Sequence, residues 1–320
     1  MREAFIDAIL VERSLDERLF VLDADCARST KTCRFAQHYP DSFLNLGIAE
    51  QNLVGVAAGM ALAGLRPVAC TFAAMLVARA GEQILQSVAA QELPVKLAGH
   101  YAGMSGAREG APHHSVADLA FLRAVPGMEV WIPADDADVR PVVKRLMASP
   151  QPGYVRLCRE PVAPLAGGTH FAEGGLRFWG PQEPEVVLVA AGITVRECLA
   201  AARRCEERGI ATAVLAILRL KPFPESQLVA LTNGARLVMS VEEHSWYGGL
   251  GGAAAEALAQ SAGPPLVRVG LRDQFTETGS YPELLDAYGL TAPHIERQVL
   301  EHLRAGAVSV GAPKPVGGSS

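Results

Sequence analysis

The residue that most directly suggests chemistry in this sequence is Glu50, within the stretch FLNLGIAEQNLVGVAAGMALAG at 43–64. It follows a glycine turn and opens a predicted helix at 51–62. An acid there can simply complement the helix dipole. The helix has almost no polar face, however, which predicts burial on all sides. Gly55 and Gly59 would each cost roughly 1 kcal/mol in an ordinary helix, so we expect another element to approach closely. A carboxylate at the mouth of a buried helix is costly unless a specific partner receives it.

Other polar and aromatic residues follow the ends of predicted strands. Ligands in open α/β sheets bind beyond the carboxyl ends of parallel strands, so these residues are candidates for one shared site. They are Asp25 and Ser29 in DADCARS, Phe72 after the strand at 67–72, the Gly-rich loop at 100–114, and Arg159 after the strand at 153–157.

Short apolar runs alternate with helical patterns along the whole chain, which predicts an α/β fold of two parallel-sheet, three-layer domains. The predicted boundaries are a first domain at 1–165, a Gly- and Pro-rich linker at 166–184, a second domain at 185–308 and a disordered tail at 309–320. Thr194 is a candidate N-cap of a helix that ends before Gly209.

Composition excludes several classes of protein. The 320 residues are 49% hydrophobic and 20% charged, with a net charge of −5 and no basic cluster, which argues against a nucleic-acid partner. No apolar run is long enough to span a membrane, and the charged N-terminus is unlike a signal peptide, so we expect a cytoplasmic protein. The six cysteines form no metal or disulfide pattern and are expected to be reduced; Cys198 and Cys205 should share a buried helix face.

The 43–64 stretch resembles the pyrimidine-binding domain of transketolases, which use thiamine diphosphate. The similarity continues through CTFAAMLVARAGEQI at 70–84, the segment at 100–135, and LKPFP, VEEHSWYGGLGG and DQFTETGS further on, to about residue 305. It implies that Glu50 binds N1′ of the cofactor's aminopyrimidine. Its carboxyl group would favour the imino tautomer, so that the opposite nitrogen can remove the C2 proton of the thiazolium.

The resemblance also implies roles for residues around the cofactor and the sugar. Phe72 would pack on the pyrimidine, Met75 stands where split members of the family have a second aromatic residue, and Asp25 matches an acid near the cofactor. For the substrate, His113 would reach the sugar's hydroxyl and carbonyl oxygens. Arg2, Ser29 and Arg159 match the positions that hold the sugar phosphate, a role suited to the bidentate fork of arginine.

The loop departs from the family in two places. Arg108-Glu109 replaces a Glu-Asp pair, so Glu109 should reshape the pocket around an acceptor hydroxyl. His100-Tyr101 replaces Thr-His at a phosphate contact, and both residues are candidates for substrate binding. A shift of one residue in an extended segment points the cation-capable side chain to the other side. His114 adds a His-His pair like that of deoxyxylulose-phosphate synthases.

The chain has no Gly-Asp-Gly motif for the diphosphate and metal. It therefore resembles the C-terminal subunit of a split transketolase, which would transfer a two-carbon ketol unit from a phosphorylated ketose to an aldose. An N-terminal partner carrying Gly-Asp-Gly and an Asn would share the thiamine diphosphate and hold Mg²⁺ or Ca²⁺, in an α2β2 assembly; no metal ligand is expected here. The alternatives are a deoxyxylulose-phosphate-synthase-like subunit, a β subunit of a 2-oxoacid dehydrogenase, or a non-catalytic assembly subunit.

Overall fold

The computed structural model describes residues 1–170, 175–261 and 263–309, which form two α/β halves. The first half supplies six strands of a seven-stranded sheet, and the second half supplies the seventh strand and a separate six-stranded sheet. This confirms the predicted fold class. No described helix is long and apolar enough to cross a membrane.

The elements of the first half follow the predicted alternation. Its helices and strands, in chain order, are α1 (Arg2–Leu15), β1 (Leu19–Asp23), α2 (Ala27–Thr30), α3 (Cys33–His38), β2 (Phe43–Asn45), α4 (Glu50–Leu62), β3 (Arg66–Phe72), α5 (Ala73–Gln83), β4 (Lys96–His100), α6 (Asp118–Ala124), β5 (Glu129–Trp131), α7 (Asp136–Ala148) and β6 (Gly153–Leu157). A π-helical segment, Ile84–Ala89, continues α5.

The second half adds two strands before its first predicted one. Its elements are β7 (Thr169–His170), β8 (Leu176–Trp179), β9 (Val186–Ala190), α8 (Thr194–Glu206), β10 (Thr212–Ile217), β11 (Arg219–Lys221), α9 (Glu225–Thr232), β12 (Leu237–Ser245), α10 (Leu250–Gln260), β13 (Leu266–Leu271), α11 (Tyr281–Ala287) and α12 (Ala292–Ser309).

The order of strands places the candidate site at the carboxyl ends of the central strands of the first sheet. The order is β11-β5-β6-β4-β3-β1-β2, and all neighbours except β11 and β5 are parallel. Every residue of β4 and of β6 is buried, as expected for parallel strands covered by helices on both faces. The carboxyl ends of β1, β3, β4 and β6 therefore lie side by side, and each leads into a predicted site residue or loop.

β11 belongs to the second half of the chain but to the sheet of the first. It pairs antiparallel with β5 through Arg219 opposite Trp131, and the Ile132 N–H donates to the Leu218 carbonyl at 2.7 Å. The sequence did not predict this strand, because three residues are too short to show a period. The two halves thus share a sheet.

Three local predictions need correction. The segment 166–184 is not wholly a linker, because β8 pairs antiparallel with β10 and β7 pairs with β8. Thr194 is not an N-cap: it lies inside α8, and its hydroxyl donates to the carbonyls of Ala191 and Val241 at 2.9 and 2.8 Å. Of the predicted tail, residue 309 ends α12, and 310–320 lie outside the described residues.

Helix α4 is not buried on all sides. Leu53, Val54 and Ala57 are buried, but Gly55 and Gly59 are exposed, and a Cβ built on either glycine meets no atom of the described chain within 4 Å. Close approach within this chain therefore does not explain the two glycines. The sequence pattern failed because small apolar residues do not distinguish a buried face from one that is open in a single chain.

Cys198 and Cys205 share one helix, as predicted. All six cysteines are free, and Cys198 and Cys205 both lie buried on α8. Burial raises the pKa of both thiols, which favours the unreactive protonated form.

A buried polar network joins the two halves. Glu243 on β12 accepts the Met104 N–H at 2.6 Å and the Tyr281 hydroxyl at 3.0 Å. Arg156 on β6 donates to the Glu243 carbonyl at 3.0 Å and pairs with Asp118 at 2.9 Å. Burial raises the pKa of Glu243 to about 7, even though Arg156 and the two hydrogen bonds oppose the shift.

The raised pKa of Glu243 predicts a pH dependence of stability. Folded Glu243 binds its proton more tightly than the unfolded chain does, so the free energy of unfolding should fall as the pH rises from 4.5 to about 7. The loss from this residue should reach roughly 3 kcal/mol. Urea unfolding between pH 5 and pH 8 should show a weaker pH dependence in Glu243→Gln than in the wild type. Glu225→Gln, an exposed change on α9, should leave the profile unaltered. Parallel profiles for Glu243→Gln and the wild type would contradict the assignment.

Candidate active site

Glu50 is a buried carboxylate with one strong partner. It is the first residue of α4 and is 5% exposed. Its two carboxylate oxygens accept from Arg79 Nη1 at 2.9 and 3.0 Å. The Arg79 side chain lies on α5 and is 49% exposed. Arg79 therefore offsets the cost of burying the charge of Glu50, and the sequence analysis missed it because nothing in the spacing links the two helices.

This ion pair borders an open cleft of about 550 Å³ that Ile48, Ala49, Gln51 and Asn52 also line. The turn that shapes it contains Gly47 at φ 74°, whose N–H donates to the Asn45 side chain at 3.0 Å. A ring nitrogen that enters the cleft could therefore reach Glu50. Glu50 is thus positioned to exchange a proton or a hydrogen bond with a ligand.

Arg2, Ser29, Tyr101 and Arg159 come together from four distant segments. Arg2 Nε donates to the Arg159 carbonyl at 2.7 Å, and Arg2 Nη1 donates to the Ser29 carbonyl at 2.5 Å and to the Tyr101 hydroxyl at 3.3 Å. The Cζ atoms of Arg2 and Arg159 lie 5.1 and 5.0 Å from the centroid of the Tyr101 ring. An aromatic face and carbonyl oxygens hold two positive charges close together, which is an arrangement suited to an anion.

The same ring connects this cluster to Phe72 and His113. The Phe72 and Tyr101 centroids are 4.6 Å apart, and the Phe72 and His113 centroids are 5.9 Å apart with the rings edge to face. His113 Nδ1 is buried and has no hydrogen-bond partner among the described residues. Glu109 approaches Arg159 Nη1 at 3.5 Å. His113 therefore has an unused polar atom beside the aromatic ring predicted to contact the cofactor.

His114 does not face the cluster; its ring stabilises the Gly-rich loop. It is buried, and its two ring nitrogens contact the Thr276 hydroxyl at 2.7 Å and the Ala107 carbonyl at 3.1 Å. Burial lowers its pKa, so the neutral ring is favoured. Thr276 belongs to the second half of the chain, and the loop is therefore held from both halves.

His100 does not lie in the cluster, which contradicts its predicted role in substrate binding. It is fully buried with its ring edge-to-face on Phe5 at 5.4 Å, and neither ring nitrogen has a hydrogen-bond partner among the described residues. Burial lowers its pKa to about 3, with Arg2 adding to the shift. His100 is the last residue of β4 and its side chain lies in the core, whereas Tyr101 follows the strand at φ 58° and lies at the cluster.

Asp25 and Met75 lie near the site but outside the cluster of contacts. Asp25 is exposed, adopts φ 61°, and accepts from the Asn45 side chain at 3.0 Å. A positive φ is uncommon for Asp, so the turn after β1 holds it in place. Met75 is half-buried on α5, between Phe72 and Arg79 in the sequence.

Asp23 holds that turn, and sequence reasoning missed it. The buried carboxylate accepts the Cys26 N–H at 2.7 Å and the Thr30 and Thr32 hydroxyls at 2.8 Å each. Burial raises its pKa despite these bonds. An acid that ends a buried strand and precedes two threonines was the available signal. Asp23 thereby positions the segment that carries Asp25 and Ser29.

Two family models match the chain. The pyrimidine-binding domain of transketolase matches residues 1–164, and the transketolase C-terminal domain matches residues 180–295.

Three relatives cover nearly the whole chain. The 6-deoxy-6-sulfo-D-fructose transketolase subunit SqwH of Clostridium sp. (strain MSTE9) is 35% identical over 94% of this chain and 94% of its own length. A subunit of the apulose-4-phosphate transketolase of Phocaeicola vulgatus is 31% identical over 95% of this chain and 97% of its own. The solved structure of a split-gene transketolase, described as an inactive beta4 tetramer, has a TM-score of 0.84 at 40% identity and covers 95% of this chain and 98% of that one.

These matches span both halves of the chain. The chain therefore belongs to the transketolase family and carries its pyrimidine-binding and C-terminal domains, the portion that split transketolases encode as a separate subunit.

Proposed function

We propose that this chain is the C-terminal subunit of a thiamine-diphosphate-dependent transketolase that transfers a two-carbon ketol unit from an anionic ketose to an aldose. The observation that carries the proposal is the convergence of Phe72, His113, Arg2 and Arg159 around Tyr101. An aromatic wall, an unpaired imidazole nitrogen and two guanidinium groups suit a phosphorylated sugar beside a flat ring.

The residues present fit the pyrimidine end of the cofactor. Glu50 is a carboxylate at an open cleft, and Arg79 keeps its charge compensated until a ring nitrogen arrives. Thiamine diphosphate, when bound, supplies the carbon nucleophile for ketol transfer. In this chain, Glu50 would bind the protonated ring nitrogen and Phe72 would pack on the ring. His113 would hold a sugar oxygen, and Arg2 and Arg159 would hold the terminal anion.

The proposal includes an N-terminal partner that holds the diphosphate and Mg²⁺ or Ca²⁺ in an α2β2 assembly. The exposed side of α4 supports it, because Gly55 and Gly59 leave open space beside a helix that begins at Glu50. A second chain that packs closely on those glycines would enclose the cofactor between subunits.

The cytoplasm remains the proposed compartment.

The terminal anion could be a phosphate or a sulfonate. One relative is named for a sulfonated ketose and another for a phosphorylated sugar. We propose phosphate as the ordinary ligand, because two guanidinium groups suit a dianion. His114, bonded to Thr276 and Ala107, is unavailable to a substrate, which disfavours the deoxyxylulose-phosphate-synthase-like alternative.

The partner requirement is directly testable. The purified chain alone should show no ketol transfer with thiamine diphosphate and Mg²⁺, and adding the partner subunit should produce both cofactor binding and turnover. A coupled assay with a ketose phosphate and an aldose, run on each subunit and on the mixture, makes the comparison. Transfer by the chain alone would refute the two-subunit proposal.

Glu50→Gln should abolish cofactor activation without unfolding the chain. The amide keeps the shape, and the released Arg79 is half exposed, so it can be hydrated. Exchange of the cofactor's C2 proton in the complex should fall by about 10²- to 10⁴-fold. Arg79→Lys, which keeps a positive charge near Glu50, should retain most of the exchange rate. The exchange rate can be measured by NMR. A wild-type rate in Glu50→Gln would contradict the proposed role and would mean that Glu50 acts only as a helix-terminal acid.

Arg159→Ala should selectively lower kcat/KM for phosphorylated substrates. Losing a charge-assisted hydrogen bond of roughly 1.5–3 kcal/mol corresponds to about a 10- to 150-fold loss of kcat/KM. Part of the loss should appear in kcat, because remote binding also positions the reacting carbons. The dephosphorylated ketose should be nearly unaffected, and Arg203→Ala, an exposed arginine on α8, should change neither substrate. Equal losses for both ketoses in Arg159→Ala would make the arginine structural.

A further inference from the structure

We propose that the cleft between the two halves of this chain is a second binding site, for a small organic anion with an apolar body, and that its occupant competes with the sugar's terminal anion for Arg159. The cleft has a volume of about 490 Å³. Arg108 and Arg159 line it from the first half, and Arg196, Ile193 and Leu285 line it from the second. The competition part rests on the proposed function, whereas the binding part does not.

Arg108 and Arg159 have guanidinium N–H donors that the described residues do not fully use. Arg108 forms no salt bridge or hydrogen bond with a described residue, and nearby Glu283 is already bonded to the Ser280 N–H and hydroxyl. Arg159 makes only long side-chain contacts, at 3.4 Å to the Gly106 carbonyl and 3.5 Å to Glu109.

The acids that face the cleft are partly engaged. Glu197 pairs with Arg196 at 3.1 Å and also accepts the Ala292 N–H, while Glu160 lies 3.9 Å from Arg159 Nε. Glu109 also lies 3.5 Å from Arg159 Nη1, and Glu283 interacts electrostatically with Arg108, so four carboxylates lie beside the three guanidinium groups. Arg108, which makes no salt bridge or hydrogen bond with a described residue, and the loosely bonded Arg159 still have N–H donors from which an anion in the cleft could accept.

The rest of the wall is apolar. Ile193 and Leu285 are almost completely buried beside the cleft, and Pro161 and Pro282 complete this side. Small-molecule sites typically have such a composition, with a few polar groups in a mostly apolar wall and volumes of about 300–1,000 Å³. The occupant should therefore combine a phosphate, sulfonate or carboxylate with an apolar body, which inorganic phosphate and a free sugar lack.

Arg159 connects this cleft to the sugar site. Its Cζ lies 5.0 Å from the Tyr101 ring centroid, within the cluster of Arg2 and Ser29, and the same side chain lines the cleft. One guanidinium cannot give its best geometry to two anions at once. An occupant of the cleft should therefore weaken the binding of the anionic donor sugar.

The binding test uses 1-naphthyl phosphate as the probe, with 1-naphthol and inorganic phosphate as the uncharged and non-apolar controls. Titration calorimetry on the full chain should show one site, with both controls bound at least about 10-fold more weakly. Arg108→Ala and Arg196→Ala should each weaken the probe by about 10-fold or more. Arg2→Ala should not, because Arg2 does not line the cleft, and Arg203→Ala should also be neutral. Loss of binding in Arg2→Ala would place the probe in the sugar site, and unchanged binding in both Arg108→Ala and Arg196→Ala would remove the cleft site.

The coupling test uses the complex with the partner subunit. The probe should raise KM for the phosphorylated ketose and leave kcat and the dephosphorylated ketose unchanged. Arg108→Ala should keep the basal kinetics and lose this inhibition. Binding of the probe without any effect on KM, or binding that disappears in the complex, would overturn the competition. A complex without turnover would refute the proposed function and leave the calorimetric result standing.

Discussion

The buried guanidinium of Arg156 is the interaction on which the arrangement of the site depends. It pairs with Asp118 and also donates to the carbonyls of Ser115 and Glu243, so one side chain joins β6, the end of the Gly-rich loop at 100–114 and β12. Burial by itself would raise the pKa of Asp118, but Arg156 outweighs it and the pKa lies below its usual value. A buried pair of this kind adds little net stability, yet breaking it leaves an uncompensated charge. It therefore acts chiefly by fixing one relative placement of the two halves.

The Gly-rich loop at 100–114 shows why that placement matters. Glu243 accepts its Met104 N–H, Thr276 bonds His114, and a Cβ at Gly103 would come within 2.3 Å of the Glu243 carboxyl group. The second half supplies none of the predicted cofactor contacts. It nevertheless sets the position of Tyr101 and His113, which carry the aromatic and imidazole groups of the site.

Much of the site could be predicted because it follows from general rules. Neighbouring parallel strands have their carboxyl ends on the same side of the sheet, and this alone places Phe72, Tyr101 and Arg159 together. The one-residue shift at His100 turned the imidazole away from the cluster, as the shift itself predicted, but the substrate-binding role predicted for His100 was wrong. Arg79 could not be found in the same way, because its pairing with Glu50 depends on how two helices pack. Asp23 did have a local signal, an acid that ends a buried strand and precedes two threonines, but the sequence analysis did not use it. The exposed face of α4 was missed because a sequence does not say which faces are completed by another chain.

The three-residue strand β11 has a consequence for how this chain can be divided. Arg219 and Lys221 place positive charges on the edge of the first sheet, and charged, short edge strands resist edge-to-edge pairing. Without β11, the edge would be β5, whose Val130 and Trp131 are apolar. A fragment that ends before the second half would expose that edge and be prone to aggregate, although its helices and six other strands are all encoded within it. The second half is thus a built-in solubility element for the first, and the family's domain boundary is a poor place to truncate this protein.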